Sequence, residues 1–140
     1  MPSVLIVEDD LMIADMLEEV LLDSGYAVCG IARTVAAAVA LAHLHRPDFA
    51  VVDMRLADGG TGTEVRALLK PTWPMGILYA TGNRSKHLLS STDGHACLTK
   101  PYRSDDLLRG LEIVAGIMMT GHAEQPFPAG FSVLVPAQAP

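Results

Sequence analysis

Residues 4–10, which read Val-Leu-Ile-Val-Glu-Asp-Asp, decide the fold class of this chain. Four aliphatic residues in succession are typical of a short strand that is buried on both faces of a sheet. The run ends abruptly in three acidic residues, which places charge at the carboxyl end of the strand. Residues 49–53, Phe-Ala-Val-Val-Asp, repeat the pattern of an aliphatic run that ends in an acid. The two stretches predict buried parallel strands with charged carboxyl ends.

Amphipathic stretches alternate with short apolar runs along most of the chain. The expected strands are 4–7, 26–31, 49–53, 76–80 and 95–99, and the expected helices are 11–22, 35–45, 63–70, 84–91 and 104–119. Asp10, Thr34 and Ser104 are suitable N-cap residues, because their side-chain oxygens can accept backbone N–H bonds. Strands that alternate with helices imply a parallel sheet covered on both faces. The sequence therefore predicts an α/β fold in which helices cover both faces of a sheet of five parallel strands.

Composition excludes several classes of protein. With 140 residues, half of them hydrophobic, and a mean hydropathy of +0.31, the chain can build the core of one domain. The formal net charge of −6 argues against a nucleic-acid surface, which normally carries a basic stripe. No run reaches the roughly 18 apolar residues that a membrane span needs. Two cysteines and no basic leader at the N-terminus favour the reducing cytosol, so we expect a cytoplasmic protein that contacts neither nucleic acid nor membrane.

The last twenty residues differ from the rest in composition. They are rich in proline, and Glu124 is their single charged residue. We therefore expect a domain over residues 1–119 and a Pro-rich tail over 120–140, with no output domain. The simplest interpretation of the tail is a mobile segment. Its apolar side chains, Phe127 and Phe131 among them, leave open an intramolecular packing strap or a contact with a partner.

Functional side chains follow four of the five predicted strands. They are Glu8 and Asp9 after the first, Asp53 at the end of the third, Thr81 after the fourth and Lys100 after the fifth. Ligands bind at the carboxyl ends of parallel strands, so these groups should converge. Clustered carboxylates suit Mg²⁺, and a carboxylate can accept a phosphoryl group as a nucleophile. Thr81 and Lys100 could then hold phosphoryl oxygens. Any one of these residues alone would more simply cap a helix or lie in a turn.

Four motifs in this order resemble the receiver domain of response regulators. They are Val-Leu-Ile-Val-Glu-Asp-Asp (4–10), Ala-Val-Val-Asp-Met-Arg-Leu-Ala-Asp-Gly (50–59), Ala-Thr-Gly (80–82) and Leu-Thr-Lys-Pro-Tyr (98–102). The resemblance covers residues 3–119. It implies the flavodoxin-like receiver fold, a doubly wound (βα)5 domain whose five parallel strands have the order 2-1-3-4-5.

The resemblance also implies a role for each site residue. Asp53 would accept the phosphoryl group, and Thr81 and Lys100 would contact its oxygens. Mg²⁺ would be bound by Asp9, by Asp53 and by the backbone carbonyl of Arg55, with Glu8 acting through water or a hydrogen bond. The phosphoryl donor would be a sensor histidine kinase or a histidine phosphotransfer protein. The Lys100–Pro101 bond is expected to be cis, as is usual in receivers.

Three departures from the receiver pattern bear on how such a switch would work. Cys97 stands three positions before the lysine, where receivers usually carry Tyr or Phe. The loop 58–62 has one extra residue, and the segment 81–100 is short. Tyr-Ala-Thr-Gly at 79–82 partly resembles the FATGUY subgroup of stand-alone receivers, although residues 83 and 84 depart from its motif. That resemblance suggests a kinase of the HWE type.

The function predicted from the sequence is that of a single-domain response regulator in a two-component system or phosphorelay. It would accept a phosphoryl group on Asp53 with Mg²⁺ and signal through altered contacts with a downstream protein. Two alternatives keep the same fold: a phosphate sink, and a receiver-like binding module that works without phosphorylation. A phosphatase that uses an aspartate nucleophile is disfavoured, because the general acid it needs two residues after Asp53 is Arg55 here.

Overall fold

The computed structural model describes residues 1–82 and 88–137. Strands and helices alternate through most of it in the predicted order. The strands are β1 Ser3–Val7, β2 Ala27–Ala32, β3 Phe49–Asp53, β4 Gly76–Thr81, β5 Ala96–Thr99 and β6 Phe131–Val133. The helices are α1 Leu11–Asp23, α2 Val35–His45, α3 Gly62–Leu69 and α4 Ser104–Thr120. Of the helix expected over 84–91, residues 84–87 lie outside the described part, and residues 88–91 are not α-helical.

The sheet has the order β2-β1-β3-β4-β5-β6. Its first five strands are parallel to one another, which confirms the α/β fold and the strand order 2-1-3-4-5. The expected strand count of five was wrong, because β6 pairs antiparallel with β5. Cys97 lies on β5, which would be an edge strand in the predicted five-stranded sheet, but the residue is buried between β4 and β6.

Two hydrophobic clusters lie on opposite faces of the sheet. Alternate residues of each central strand point to opposite faces, so Leu5 and Val52 belong to the cluster that α2 and α3 cover. Ile6 and Val51 belong to the cluster that α1 and α4 cover. Both faces are thus sealed, and the carboxyl edge of the sheet is where polar groups can meet.

The helix starts follow capping chemistry, with one exception. Asp10 caps α1 by accepting bonds from the amides of Met12 at 3.0 Å and Ile13 at 3.4 Å, and Thr34 accepts from Ala37 at 3.1 Å to cap α2. The N-cap predicted at Ser104 was wrong, since Arg103 occupies that position and provides no side-chain bond. Asp105 and Asp106 in the first turn of α4 supply negative charge near the helix N-terminus, which stabilises it without a cap.

The end of the chain packs against the domain as far as the structure describes it. After α4 the chain returns to β5 and forms β6, so the packing strap is the observed alternative rather than a mobile tail. Phe131 and Leu134 are buried there. Among the helices of the described residues, none has the length and apolar character needed to cross a membrane.

Candidate functional site

Three carboxylates meet at the carboxyl edge of the sheet. Glu8 and Asp9 follow the buried strand β1, and Asp53 is the last residue of its neighbour β3. One carboxylate oxygen from each of the three lies within 4.8 Å of the other two. Glu8 is almost completely buried, with 3% of its surface exposed. This cluster, which we call the acidic rim, could hold a metal ion.

Lys100 joins the acidic rim from the other side. It follows β5, and its Nζ lies 3.0 Å from Oδ2 of Asp53 and 3.5 Å from Oε1 of Glu8. The Lys100 amide donates to the carbonyl of Thr81 at 2.8 Å, which fixes the start of this loop against β4. The peptide bond between Lys100 and Pro101 is cis, as predicted. A single ammonium group therefore faces two of the three carboxylates.

The pKa of Glu8 reflects both its burial and the acid beside it. Burial, followed by the hydrogen bond and the negative charge of Asp53, raises the pKa of Glu8 to about 7. Lys100 lowers that pKa only in part. Burial by itself lowers the pKa of Lys100, but its bonds and charge interactions with Asp53 and Glu8 raise it overall. A bound cation would relieve the remaining repulsion among the carboxylates.

Thr81 lies at the same edge with its side chain fully buried. The pairing of Asp53 with Ala80 places Thr81 one residue beyond Asp53 along the neighbouring strand. Its hydroxyl donates to the carbonyl of Gly82 at 3.1 Å. The structure thus brings Glu8, Asp9, Asp53 and Lys100 into one cluster, whereas the Thr81 hydroxyl is engaged with its neighbouring carbonyl.

The loop after β3 presents the backbone of Arg55 beside Asp53. Arg55 and Thr61 form an isolated antiparallel bridge that closes the loop. The flanking bonds run from the amides of Leu56 and Gly62 to the carbonyls of Gly60 and Met54, so neither uses the Arg55 carbonyl. The side chain of Arg55 is exposed. The backbone carbonyl named from the resemblance is therefore left unused by the bonds that close the loop.

Gly62 is required for this loop to pass so close to the acidic rim. A Cβ added at Gly62 would overlap the carbonyl oxygen of Asp53 and lie 2.7 Å from a methyl group of Val52. Asp58 braces the other end, because its carboxylate accepts from the amides of Gly60 at 3.0 Å and Val35 at 3.3 Å. The extra residue of the loop is accommodated in this bonded turn.

Two contacts of the site were not predicted. Tyr102 is partly buried, and burial raises its pKa to about 12, with the charges of Glu8 and Asp53 acting in the same direction. Its phenol therefore lies within the electric field of the acidic rim. Arg33 donates from Nε to the backbone carbonyl of Asp9 at 3.1 Å. Adjacency to Lys100 is a signal that could have identified Tyr102, but nothing in the sequence links Arg33 to Asp9.

An apolar groove of about 480 Å³ opens next to Lys100, between α1 and the loop that precedes α4. Its walls come from both elements: Ile13, Met16, Leu17, Val20, Lys100, Pro101, Tyr102 and Ser104. Met12 and Met16 on the same helix are exposed by 78% and 63%. Apolar surface of this kind, rimmed by charge, is typical of a protein contact.

The donor set of the acidic rim fits a hard divalent cation. Carboxylate and carbonyl oxygens are the ligands that Mg²⁺ takes in proteins, usually together with water or phosphate oxygens. A bound cation would also oppose the burial and the charge of Asp53 that together raise the pKa of the buried Glu8. Neither histidine nor cysteine contributes to this cluster of described side chains, so its chemistry favours Mg²⁺ over zinc.

A doubly wound domain with an acidic rim and a lysine at its carboxyl edge is the architecture of a signalling receiver. The family model for the response regulator receiver domain matches residues 4–112. The chain therefore belongs to the response regulator receiver family, and to two-component signalling.

Named relatives agree with this assignment. The chain is 33% identical over 114 residues to the transcriptional regulatory protein PdtaR of Mycobacterium tuberculosis, which covers 79% of this chain and 55% of that protein. It is 32% identical over 103 residues to the phyllosphere-induced regulator PhyR of Methylorubrum extorquens, covering 72% of this chain and 39% of that one. The chain thus spans about half the length, or less, of these curated relatives.

A solved structure gives the same result for the fold. The signal receiver domain of a modulated diguanylate cyclase from Desulfovibrio desulfuricans is similar to this chain with a TM-score of 0.75 and 30% identity. The match covers 87% of this chain and 99% of that domain.

Proposed function

We propose that this chain is a response regulator receiver that accepts a phosphoryl group on Asp53 with Mg²⁺. The observation that carries the proposal is the contact of 3.0 Å between Lys100 Nζ and Asp53 Oδ2, within a cluster of three carboxylates. A structural acid at a strand end has no need of two further acids and a lysine. A phosphoryl acceptor needs all of them, because phosphoryl transfer depends on positioning and on neutralising charge.

The chemistry of the residues follows from their placement. An oxygen of the Asp53 carboxylate attacks the phosphorus of a phosphohistidine. The new O–P bond gives an acyl phosphate, while the P–N bond breaks and its electron pair returns to the imidazole of the donor. Lys100 is placed to pair with a phosphoryl oxygen, since its ammonium already contacts Asp53. The Thr81 hydroxyl could donate to another phosphoryl oxygen after leaving the carbonyl of Gly82.

The proposed metal ligands are Asp9, Asp53 and the backbone carbonyl of Arg55, with Glu8 acting through water or a hydrogen bond. When bound, Mg²⁺ supplies positive charge that offsets the carboxylates and the phosphoryl oxygens. Burial and the charge of Asp53 hold Glu8 partly protonated near neutral pH. A bound cation would favour the ionised form of Glu8, as Lys100 does from the other side.

The apolar groove beside Lys100 supports a phosphoryl donor that docks through a helix. Its wall is formed by α1, and the exposed Met12 and Met16 extend the apolar surface beyond the groove. Methionine-rich surfaces adapt to varied partners. A sensor histidine kinase, of the HWE type by the FATGUY resemblance, or a histidine phosphotransfer protein would fit this surface. The protein would be cytoplasmic and would act on a downstream protein by contact.

The proposal is tested by intact-mass spectrometry after incubation with acetyl phosphate, with and without Mg²⁺. We expect wild type to gain one phosphoryl group only when Mg²⁺ is present, and Asp53→Ala to gain none. Asp15→Ala is the matched control, since Asp15 is an exposed carboxylate of α1, outside the acidic rim. Equal labelling of wild type and Asp53→Ala would overturn the assignment of the acceptor.

A further inference from the structure

The segment 124–135, which we call the strap, covers the outer edge of β5 through a short ladder. Phe131 to Val133 pair antiparallel with Leu98 to Ala96. Beyond the paired residues, the Thr99 amide donates to the carbonyl of Gly130 and the Leu134 amide to that of His95, both at 3.0 Å. These bonds satisfy an edge that would otherwise offer free amides and carbonyls to another strand.

The side chains of the strap alternate between the two faces of the sheet. Phe131 packs on α4, where a Cβ added at Gly110 would lie 3.5 Å from its ring. Leu134 is buried in the opposite cluster, which also contains Cys97. An extended segment that pairs with this edge therefore needs an aromatic residue followed three positions later by an aliphatic residue.

The backbone of the strap is held by further hydrogen bonds, in addition to the packing of Phe131 and Leu134. Arg109 of α4 donates to the carbonyls of Glu124 at 2.8 Å and Pro126 at 3.2 Å. Such bonds do not depend on which side chains the strap carries. Gly130 has a φ of +77°, and prolines at 126, 128 and 136 prevent the ladder from growing in either direction. The pairing is limited to three residues, which is short for a strand.

The side chains of the strap leave an unfilled groove beside it. A groove of about 680 Å³ runs between it and residues 88–90, and Ser132 is one of the side chains that face it. The exposed serine is small and polar, while Leu88, Leu89 and Leu134 on the same walls are apolar. A larger apolar side chain at the position of Ser132 would fill this groove and gain the burial that serine does not provide.

We propose that the β5 edge is a binding surface for an extended segment of a partner protein, and that the strap is its intramolecular competitor. The partner segment would add antiparallel to β5, as in β-strand addition. It would carry an aromatic residue in place of Phe131, a large apolar residue in place of Ser132 and an aliphatic one in place of Leu134. A segment without flanking prolines would also form a longer ladder than the strap.

The test measures binding of a fluorescent peptide by anisotropy. The peptide copies residues 127–135 with leucine at the position of Ser132. The binding protein is the full chain with Ser132→Cys, which places a second cysteine opposite Cys97 in the ladder. Cys29→Ser removes the remaining cysteine. Directly opposite residues lie roughly 4.5–5.5 Å apart, within the range that a disulfide spans. Oxidation would thus lock the strap on β5, and reduction would release it.

We expect the oxidised chain to bind the peptide at least tenfold more weakly than the same chain after reduction. Gly130→Ala should bind several-fold more tightly than wild type, because alanine is strained at this φ and would crowd Thr99. The control, Gly121→Ala, imposes the same kind of strain at φ +79° outside the strap and should bind like wild type.

Three results would overturn the proposal. One is equal binding of the peptide by the oxidised and reduced chains, or binding by neither. Another is failure of the disulfide to form in the folded chain, since that would contradict the docked position of the strap. The third is a stable dimer in light scattering that the oxidised lock abolishes, because the strand on β5 would then come from a second copy. None of these measurements depends on phosphorylation of Asp53.

Discussion

The acidic rim gathers carboxylates that repel one another at the carboxyl ends of β1 and β3, whereas the strap adds buried apolar side chains along the outer edge of β5. Glu8 is buried with its pKa raised to about 7, a sign that its ionised form is disfavoured in the fold. Phe131 and Leu134 are buried with 8% and 9% of their surface exposed. The rim is thus organised for chemistry and the strap for packing, although Thr99, bonded to the strap, directly precedes Lys100 of the rim.

This difference shows that stability and metal binding depend on different parts of the chain. Changes in the strap should alter the free energy of unfolding while the carboxylates stay in place. Changes in the rim should alter metal binding while the fold persists. Each of the following variants is designed to separate these two effects.

Phe131→Ala should have the largest effect on stability, a loss of about 3 kcal/mol, because removal of a buried aromatic ring leaves a cavity. The Phe127 ring, which contacts Phe131 at 5.4 Å between centroids, is 40% exposed. Phe127→Ala is therefore the control, with an expected loss below about 1 kcal/mol. Urea denaturation measures both, and equal losses would show that the strap is not packed as described.

Mg²⁺ should stabilise the wild-type chain by about 2.7 kcal/mol at 100 times its dissociation constant. Asp9→Asn should remove most of this gain, since it withdraws one carboxylate of the rim. Asp10→Asn is the matched control, because asparagine caps a helix as well as aspartate does. Thermal melting with Mg²⁺ and with a chelator gives the comparison, and a full Mg²⁺ effect in Asp9→Asn would refute the ligand set.

Gly62→Ala should cost about 2 kcal/mol and weaken Mg²⁺ binding together. The added methyl group would displace the backbone carbonyl of Asp53, a residue of the acidic rim. Gly116→Ala is the control, since a Cβ at this position in α4 would lie 3.8 Å from the carbonyl oxygen of His122, an ordinary contact outside the rim. Calorimetric titration would measure the affinity of each variant for Mg²⁺. Unchanged affinity in Gly62→Ala would mean that the loop can move without displacing the acidic rim.

The smallest expected effect is the contribution of His95 to the pH dependence of the free energy of unfolding. Burial, followed by the charge of Arg66, lowers the pKa of His95, and its Nδ1 accepts the Ile77 amide at 3.1 Å. Protonation therefore favours the unfolded chain. The contribution is fully present above the unfolded pKa of about 6.5 and is lost as the pH falls below it, towards the folded value.

His95→Asn checks this sign, because asparagine can accept the same bond without titrating. Urea midpoints compared between pH 7.5 and 5.5 should fall less in His95→Asn than in wild type. The exposed His45, replaced in the same way, should leave the wild-type slope unchanged. If the urea midpoint falls equally with pH in all three chains, His95 does not contribute to the pH dependence of stability.

The rim was predictable from the sequence because its members follow aliphatic runs that each read as a buried strand. Residues 4–10 alone place Glu8 and Asp9, and parallel pairing brings Asp53 beside them. The strap was harder to predict, because β6 has three residues, lies among prolines and pairs with β5 across more than thirty positions. Ser104 was misassigned as a cap because acidic residues in the first turn can stabilise α4 without one. Local pattern thus determines strands and their ends, while distant pairing depends on the fold.

The central claim is that Asp53 becomes an acyl phosphate. The most direct test is borohydride reduction of the chain after incubation with acetyl phosphate and Mg²⁺, followed by peptide mapping by mass spectrometry. Borohydride converts an aspartyl phosphate to homoserine and leaves an unmodified aspartate unchanged. We predict homoserine at position 53 and unaltered aspartate at position 58. Modification at another residue, with position 53 unchanged, would contradict the account.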